Sequence, residues 1–191
     1  MQRPTKEQIM ELPLYIGLDP IHIKIVENEQ DAAQALVELK SAPCLGFDTE
    51  SKPIFKKGEI SPGPTVIQLA TGFKAFLFMT RFPAAVDAAR RLLSDSNIKK
   101  VGFGIRGDNK ELRNKLDINI VNTEDLSVTL KKLSGEKNLI GARAAVAMIL
   151  KQRLPKGAQQ SNWGAYPLQK HQIQYAANDA HSAICIENAI K

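Results

Sequence analysis

Several residue types are scarce in this chain of 191 residues, and their scarcity excludes whole classes of protein. The two cysteines, Cys44 and Cys185, stand within apolar segments, so a disulfide framework and a cysteine-ligated zinc site are excluded. The chain has no run of about 18 apolar residues, the length that a transmembrane helix needs. Its first residues lack the basic, apolar and small-residue order of a secretory signal. We therefore expect a soluble, cytoplasmic protein that contacts no membrane.

The composition is that of a folded domain and not of a disordered or fibrous chain. Hydrophobic residues make up 43% and charged residues 24%, close to the average for globular proteins. The formal net charge of +6 is compatible with an acidic partner, but it also serves solubility. The sequence contains no repeat and no long linker. We expect a single domain over residues 1–191, with an N-terminal arm over about 1–20 and a catalytic core over about 21–190.

Hydrophobic patterns predict strands at the start of the chain and alternating helices and strands after them. Residues 44–50, 65–71 and 74–79 have the length and apolar content of strands and predict a three-strand meander. The other predicted elements are a strand over 21–26, helices over 28–40, 84–95, 106–116, 141–154 and 171–190, a strand over 99–105, and a short strand with a helix within 118–133. This order is typical of an α/β fold.

Two carboxylates lie at the end of the first meander strand. Asp48 and Glu50 are two residues apart, so an extended backbone directs both to one face and Thr49 to the other. They follow apolar residues, at the carboxyl end of the strand, where open α/β sheets bind ligands. A strand that ends in solvent explains the pair equally well, so the pair alone does not establish a metal site.

Three further candidate residues lie in later segments. Asp108 follows an apolar strand in VGFGIRGDNKEL, where an acid in the first helical turn also stabilises the helix dipole. Tyr175 and Asp179 are four residues apart on the last predicted helix, and this spacing stacks them on one face. Helix packing or exposure to solvent would explain that pair as well. Each of the three residues, taken singly, therefore has a structural explanation.

Together, these segments resemble the DEDDy 3′-to-5′ exonuclease superfamily, and within it the RNase D and Werner-type exonucleases. FDTE is similar to the first exonuclease motif, VIQLAT to the strand after it, VGFGIRGDNKEL to the second motif, and SNWGAYPLQKHQIQYAANDA to the third with its flank. The resemblance covers roughly residues 43–190. It implies an RNase H-like (DnaQ-like) exonuclease fold, with a mixed sheet of five strands or slightly more that contains an antiparallel meander and is flanked by helices. Ser51 and Lys52 stand where Werner-type enzymes often carry an aromatic residue, which leaves the substrate preference open.

The resemblance implies a set of catalytic residues. Its four metal-binding acids fall on Asp48, Glu50, Asp108 and Asp179, and its catalytic tyrosine on Tyr175. Carboxylates that converge repel one another, and their oxygen atoms are hard ligands that favour Mg²⁺ or Mn²⁺ as the bound ion. Two such ions support hydrolysis of phosphodiester bonds, so the expected activity releases nucleoside 5′-monophosphates from the 3′ end of DNA, RNA or both. The expected partner is single-stranded or 3′-ended nucleic acid.

Basic, hydroxyl and aromatic residues near the motifs are candidates for substrate binding. Those expected to contact the phosphates or the end of the strand are Thr49, Lys52, Lys56, Lys57 and Arg106. For Trp163, the only tryptophan, two roles are open: it stacks on a base, or it anchors the last helix.

Two alternatives to an exonuclease stay open. The first is a non-catalytic module that binds nucleic acid or a protein partner on a nuclease fold. The five intact catalytic positions argue against it, because a non-catalytic relative is free to lose one of them. The second is an endonuclease of the wider RNase H-like group. The Tyr-x-x-x-Asp pair and the SNW flank favour the exonuclease.

Overall fold

The computed structural model describes residues 2–54, 58–155 and 157–191. In this part of the chain, six strands form one mixed sheet in the order β1-β4-β3-β2-β5-β6. The strands are β1 (Ile23–Val26), β2 (Cys44–Ser51), β3 (Pro64–Ala70), β4 (Ala75–Met79), β5 (Lys99–Gly102) and β6 (Thr123–Asp125). The predicted α/β fold with a mixed sheet is confirmed.

Helices pack on both faces of this sheet. The α-helices of the described residues are α1 (Lys6–Glu11), α2 (Glu29–Lys40), α3 (Pro83–Leu93), α4 (Arg106–Leu116), α5 (Leu126–Ser134), α6 (Ala142–Ala145) and α7 (Lys170–Ile190). Local chemistry explains several of their ends: the side chain of Asn28 accepts a hydrogen bond from the Asp31 amide at the start of α2, and Gly135 ends α5 in a left-handed conformation.

Strands β2, β3 and β4 form the antiparallel meander that the sequence predicts. β2 pairs with β3 from Gly46 opposite Ala70 to Glu50 opposite Val66, and β3 continues the pattern with β4. β5 joins β2 in parallel on its other edge. As a result β2 is internal to the sheet, while its carboxyl end, from Asp48 to Ser51, extends past the pairing with β5 and pairs with β3.

The two faces of β2 contact different helices. Gly46 lies directly under α7, where an added Cβ would come 1.9 Å from the backbone oxygen of Ala180. Leu45 and Phe47, on the opposite face, belong to the same hydrophobic cluster as Leu112 of α4. α7 therefore covers the face that carries Asp48 and Glu50, while α4 packs against the other face.

Two predicted element boundaries were wrong. The helix expected to reach residue 154 is α6 followed by a π-helical segment, Val146–Leu150, because Lys151 adopts a left-handed conformation with φ 55° and ends it. The strand expected to reach residue 105 ends at Gly102, two residues before Gly104 turns the chain with φ 67°. The short strand and the helix expected within residues 118–133 are β6, Thr123–Asp125, and α5.

The N-terminal segment packs on the rest of the described chain through Tyr15. The Tyr15 amide donates to the backbone oxygen of Arg153 at 2.9 Å, and its hydroxyl lies 2.8 Å from Nδ1 of His181 on α7. Across the described residues, no helix combines the length and the apolar character that crossing a membrane requires.

Candidate metal centre

Three of the predicted metal ligands converge at the carboxyl end of β2. One carboxylate oxygen each from Asp48, Glu50 and Asp179 lies within 4.8 Å of the other two. Asp48 and Glu50 occupy the face of β2 that α7 covers, and Asp179 comes from α7 itself. The close approach at Gly46 makes this meeting possible. Three carboxylates at this spacing are a donor set that suits a hard divalent cation such as Mg²⁺ or Mn²⁺.

The convergence makes these acids harder to ionise. Burial, followed by the negative charges of Asp179, Asp108 and Glu50, raises the pKa of Asp48 well above its usual value. Burial and the charges of Asp179 and Asp108 raise the pKa of Glu50 to about 8. A bound cation would remove the repulsion that contributes to these shifts. The site is therefore chemically suited to metal ions.

The pKa of Asp179 is raised to about 7, chiefly by burial. The Tyr175 hydroxyl and the positive charge of Arg143 act in the opposite direction and favour the ionised carboxylate. Arg143 is exposed, on the short helix α6. No sequence signal pointed to Arg143, because it lies in an alanine-rich segment with no motif residue.

The fourth acid, Asp108, reaches the centre from α4. Its carboxylate accepts a hydrogen bond from the hydroxyl of Thr49. Burial raises the pKa of Asp108, and the hydrogen bond from Thr49 opposes that rise. Asp108 lies outside the group of three oxygens, yet its charge raises the pKa values of Asp48 and Glu50. Asp108 thus borders the three converging carboxylates from the side opposite α7.

Tyr175 is half-buried one turn before Asp179 on α7. Burial, and then the negative charges of Asp179 and Glu50, raise the pKa of its hydroxyl above the usual value of 10.0. The hydroxyl therefore stays protonated at neutral pH and can form hydrogen bonds at the acidic centre. The ring of Trp163, 6.1 Å away between centroids, packs against the tyrosine ring.

Two of the residues predicted to bind substrate have contacts within the protein. Trp163 is completely buried, which favours the second of its two open roles, anchoring the last helix. The hydroxyl of Thr49 donates to Asp108 and so supports that acid, while a substrate contact by Thr49 stays a prediction.

The predicted basic residues differ in their surroundings. Lys52 is exposed and forms an ion pair with Glu59 at 3.3 Å. Arg106 is exposed at the first residue of α4. Lys56 and Lys57 lie outside the described residues.

The fold and the acidic centre define an exonuclease domain of the RNase H-like type. A family model described as 3′-5′ exonuclease matches residues 23–191. The chain belongs to this family, whose members are phosphodiester hydrolases. The suspected relation to RNase D and the Werner-type exonucleases is confirmed.

Two curated relatives show how much of a larger protein this chain corresponds to. A 3′-5′ exonuclease of Arabidopsis thaliana is 29% identical over 172 residues, which cover 88% of this chain and 57% of the relative. The bifunctional 3′-5′ exonuclease/ATP-dependent helicase WRN of Mus musculus is 31% identical over 157 residues, which cover 78% of this chain and 11% of the relative. The chain thus spans little more than half of one relative and a small part of the other.

Solved structures share the fold. The EXO domain of Aedes aegypti Nibbler matches with a TM-score of 0.80 and 24% identity, over 91% of this chain and 88% of that domain. Trypanosoma brucei RNase D in complex with RNA U12 matches with a TM-score of 0.78 and 19% identity, over 96% of this chain and 64% of the RNase D chain.

Proposed function

We propose that this protein is a metal-dependent 3′-to-5′ exonuclease that hydrolyses phosphodiester bonds of DNA, RNA or both and releases nucleoside 5′-monophosphates. The observation that carries the proposal is the convergence of carboxylates from Asp48, Glu50 and Asp179 within 4.8 Å, on the scaffold of this family. The complex of the neighbouring RNase D with RNA supports a nucleic-acid substrate.

In this proposal the four acids Asp48, Glu50, Asp108 and Asp179 hold two Mg²⁺ or Mn²⁺ ions. When bound, such ions activate water and stabilise the negative charge on the leaving 3′-oxygen. The acids approach from both sides of the end of β2, two from the strand itself, one from α7 and one from α4. In the proposal, the scissile phosphate binds beyond the strand end, next to these acids.

Tyr175 is assigned the task of positioning the attacking water. Its hydroxyl lies at the acidic centre and remains protonated, since burial and the neighbouring carboxylates raise its pKa. A protonated hydroxyl orients water by hydrogen bonding but does not take up its proton. The exposed cations Lys52 and Arg106 are assigned to phosphates of the strand.

The test is a time course on 5′-labelled single-stranded DNA and RNA with Mn²⁺, Mg²⁺ or EDTA. We expect a metal-dependent ladder that shortens by single nucleotides from the 3′ end, and no ladder with Asp48→Ala. Asp87→Ala, at an exposed acid of α3, is the matched control and retains the ladder. If the folded wild-type protein binds both strands but cuts neither with either metal, it is a binding module and the proposed function is wrong.

A further inference from the structure

A cleft of about 360 Å³ opens beside the acidic centre, at the same end of the sheet. Three chain segments and one side chain of α4 form its walls: residues 62–65, 79–81 and 163–165, and Leu116. Apart from the acidic centre, it is the feature of the described residues whose position and charge best suit a substrate strand.

The cleft is connected to the acidic centre through its walls. Glu50 pairs with Val66 across the sheet, and Val66 pairs with Met79, which lines the cleft. The hydroxyl of Thr65, another lining residue, donates to the backbone oxygen of Glu50 at 3.1 Å. The buried ring of Trp163 lies in the wall of the cleft and also packs against the Tyr175 ring. The cleft and the acidic centre therefore share supporting residues.

Arg81 supplies the positive charge of the cleft, since no other described lining residue is charged. Its guanidinium carbon lies 4.3 Å from the centroid of the Tyr166 ring, so the group is held over an aromatic face. Tyr166 is itself fixed, because its hydroxyl donates to Glu27 at 2.9 Å and Phe82 packs edge-on against its ring. Within the described ranges, Arg81 forms no ion pair with a carboxylate.

We propose that this cleft binds the penultimate nucleotide of the substrate strand, with Arg81 bound to the phosphate on the 5′ side of that nucleotide. The inference rests on the proposed function and adds a position for the strand. A 3′-terminal nucleoside is linked to the strand by the scissile phosphate alone, and that phosphate belongs at the acidic centre. If the terminal nucleoside occupied the cleft, Arg81 would therefore have no phosphate to bind. β4, which leads into Arg81, lies two strand spacings from β2, about 10 Å. A cation at this separation suits the next phosphate along the strand.

The other polar groups of the cleft agree with this assignment. The hydroxyl of Thr80 donates to the backbone oxygen of Pro64 at 2.7 Å, and that of Thr65 donates to Glu50. Each of these hydroxyls thus already donates to a backbone oxygen, whereas the edge of the guanidinium is available to a phosphate. The exposed Pro62 and the half-buried Leu116 offer an apolar surface for the sugar and base.

The experiment compares two substrates that differ in whether they reach the cleft. A single-stranded oligonucleotide occupies the acidic centre and the cleft, whereas the p-nitrophenyl ester of thymidine 5′-monophosphate occupies the acidic centre alone. For Arg81→Gln we expect the ratio of the oligonucleotide KM to the ester KM to rise about fivefold to tenfold. The slope of log affinity against log salt should become shallower by about 0.7, the value of one phosphate contact on a single strand. Arg91→Gln, at an exposed arginine of α3, is the matched control and keeps the wild-type ratio and slope.

Each outcome decides a separate point. If the wild-type protein hydrolyses the ester but Arg81→Gln changes the ratio and the salt slope no more than Arg91→Gln, the cleft proposal is overturned and the acidic centre stands. Equal increases in both KM values would place the terminal nucleoside in the cleft, which also overturns it. If the wild-type protein hydrolyses neither substrate with Mn²⁺, the proposed function itself fails. Should Arg81→Gln unfold, Arg81→Lys keeps the charge without the planar stack, and under the proposal it retains the salt slope but raises the KM ratio.

Discussion

The hydroxyl of Thr49 donates a hydrogen bond to the carboxylate of Asp108 and so joins strand β2 to helix α4 at the acidic centre. Thr49 points away from its neighbours Asp48 and Glu50, because successive side chains of a strand alternate between faces. Its backbone amide also donates to the Asp48 carboxylate at 2.9 Å. One residue of β2 thus orients two acids that lie on opposite faces of the strand.

We therefore predict that Thr49→Val weakens the metal centre without unfolding the protein. Valine keeps the shape and the branched Cβ but removes the hydrogen bond to Asp108. Loss of a contact that orients a metal-binding carboxylate commonly costs 10- to 100-fold in metal affinity or activity, so we expect about a tenfold loss of Mn²⁺ affinity by calorimetry. Thr49→Ser restores the hydroxyl and most of the affinity. Wild-type Mn²⁺ binding and kcat in Thr49→Val would show that the hydrogen bond is incidental.

A second prediction concerns the repulsion among the acids. In EDTA, Asp48→Asn removes a buried carboxyl group whose ionisation is disfavoured by burial and by the neighbouring acids, so the free energy of unfolding should rise by about 1 kcal/mol. With Mn²⁺ at about 100 times its Kd, the wild-type protein should gain about 2.7 kcal/mol and the variant nearly none. Thermal and urea unfolding with and without metal measure both effects. Asp87→Asn, at an exposed acid of α3, should behave as the wild type. Equal Mn²⁺ stabilisation of Asp48→Asn would remove Asp48 from the ligand set.

Much of this architecture was predictable because its determinants are local. The two-residue spacing of Asp48 and Glu50 fixes a shared face of a strand, and the four-residue spacing of Tyr175 and Asp179 fixes a shared face of a helix. Apolar runs bounded by glycine and proline located the meander. Residues that depend on how distant elements pack were harder to assign: the complete burial of Trp163 follows from the contacts of its segment with α7.

Contacts between distant segments also account for what the sequence did not reveal. Arg81 and Tyr166 are far apart along the chain, and only the folded structure brings the guanidinium over the ring. The hydrogen bond from Thr49 to Asp108 links residues 59 apart in the sequence. No periodicity or short motif records such pairs.

A third prediction concerns Gly46, which lets α7 approach β2. An alanine Cβ at this position would lie 1.9 Å from the backbone oxygen of Ala180, so α7 must shift. We expect Gly46→Ala to lower the free energy of unfolding by about 1–3 kcal/mol and to reduce kcat, because Asp179 moves with the helix. Gly72→Ala is the matched control, since nothing lies within 4 Å of its added Cβ. Equal stability of the two variants in urea would contradict close packing at Gly46.

A fourth prediction separates the role of Tyr175 from those of the acids. Tyr175→Phe removes the hydroxyl that is proposed to position water but keeps the ring that packs against Trp163. We expect kcat to fall about 100-fold while Mn²⁺ affinity and melting temperature stay near wild type. Single-turnover assays and calorimetry measure the two effects. An unchanged kcat, or a loss of metal binding as large as that of Asp48→Asn, would contradict the assignment.

The last prediction concerns Lys100, a lysine with no exposed surface at the centre of β5. Burial lowers its pKa from 10.5 to about 8, while its ammonium donates to the backbone oxygens of Asp95 and Ile98, each at 2.7 Å. Between pH 8 and 10.5 the unfolded chain binds more protons at this residue than the folded chain, so stability rises with pH in that window. Below pH 8 the cost of the buried charge is present in full.

The stability of the wild-type protein relative to Lys100→Met should therefore increase from pH 8 towards pH 10.5, by an amount on the order of 2 kcal/mol. Taking the difference between the two proteins cancels the titration of other groups, which both share. Lys40→Met, at an exposed lysine of α2, should show no such trend. Urea unfolding across this range makes the measurement. A difference that is flat or falls with pH would mean that the hydrogen bonds to Asp95 and Ile98 keep the buried ammonium fully charged.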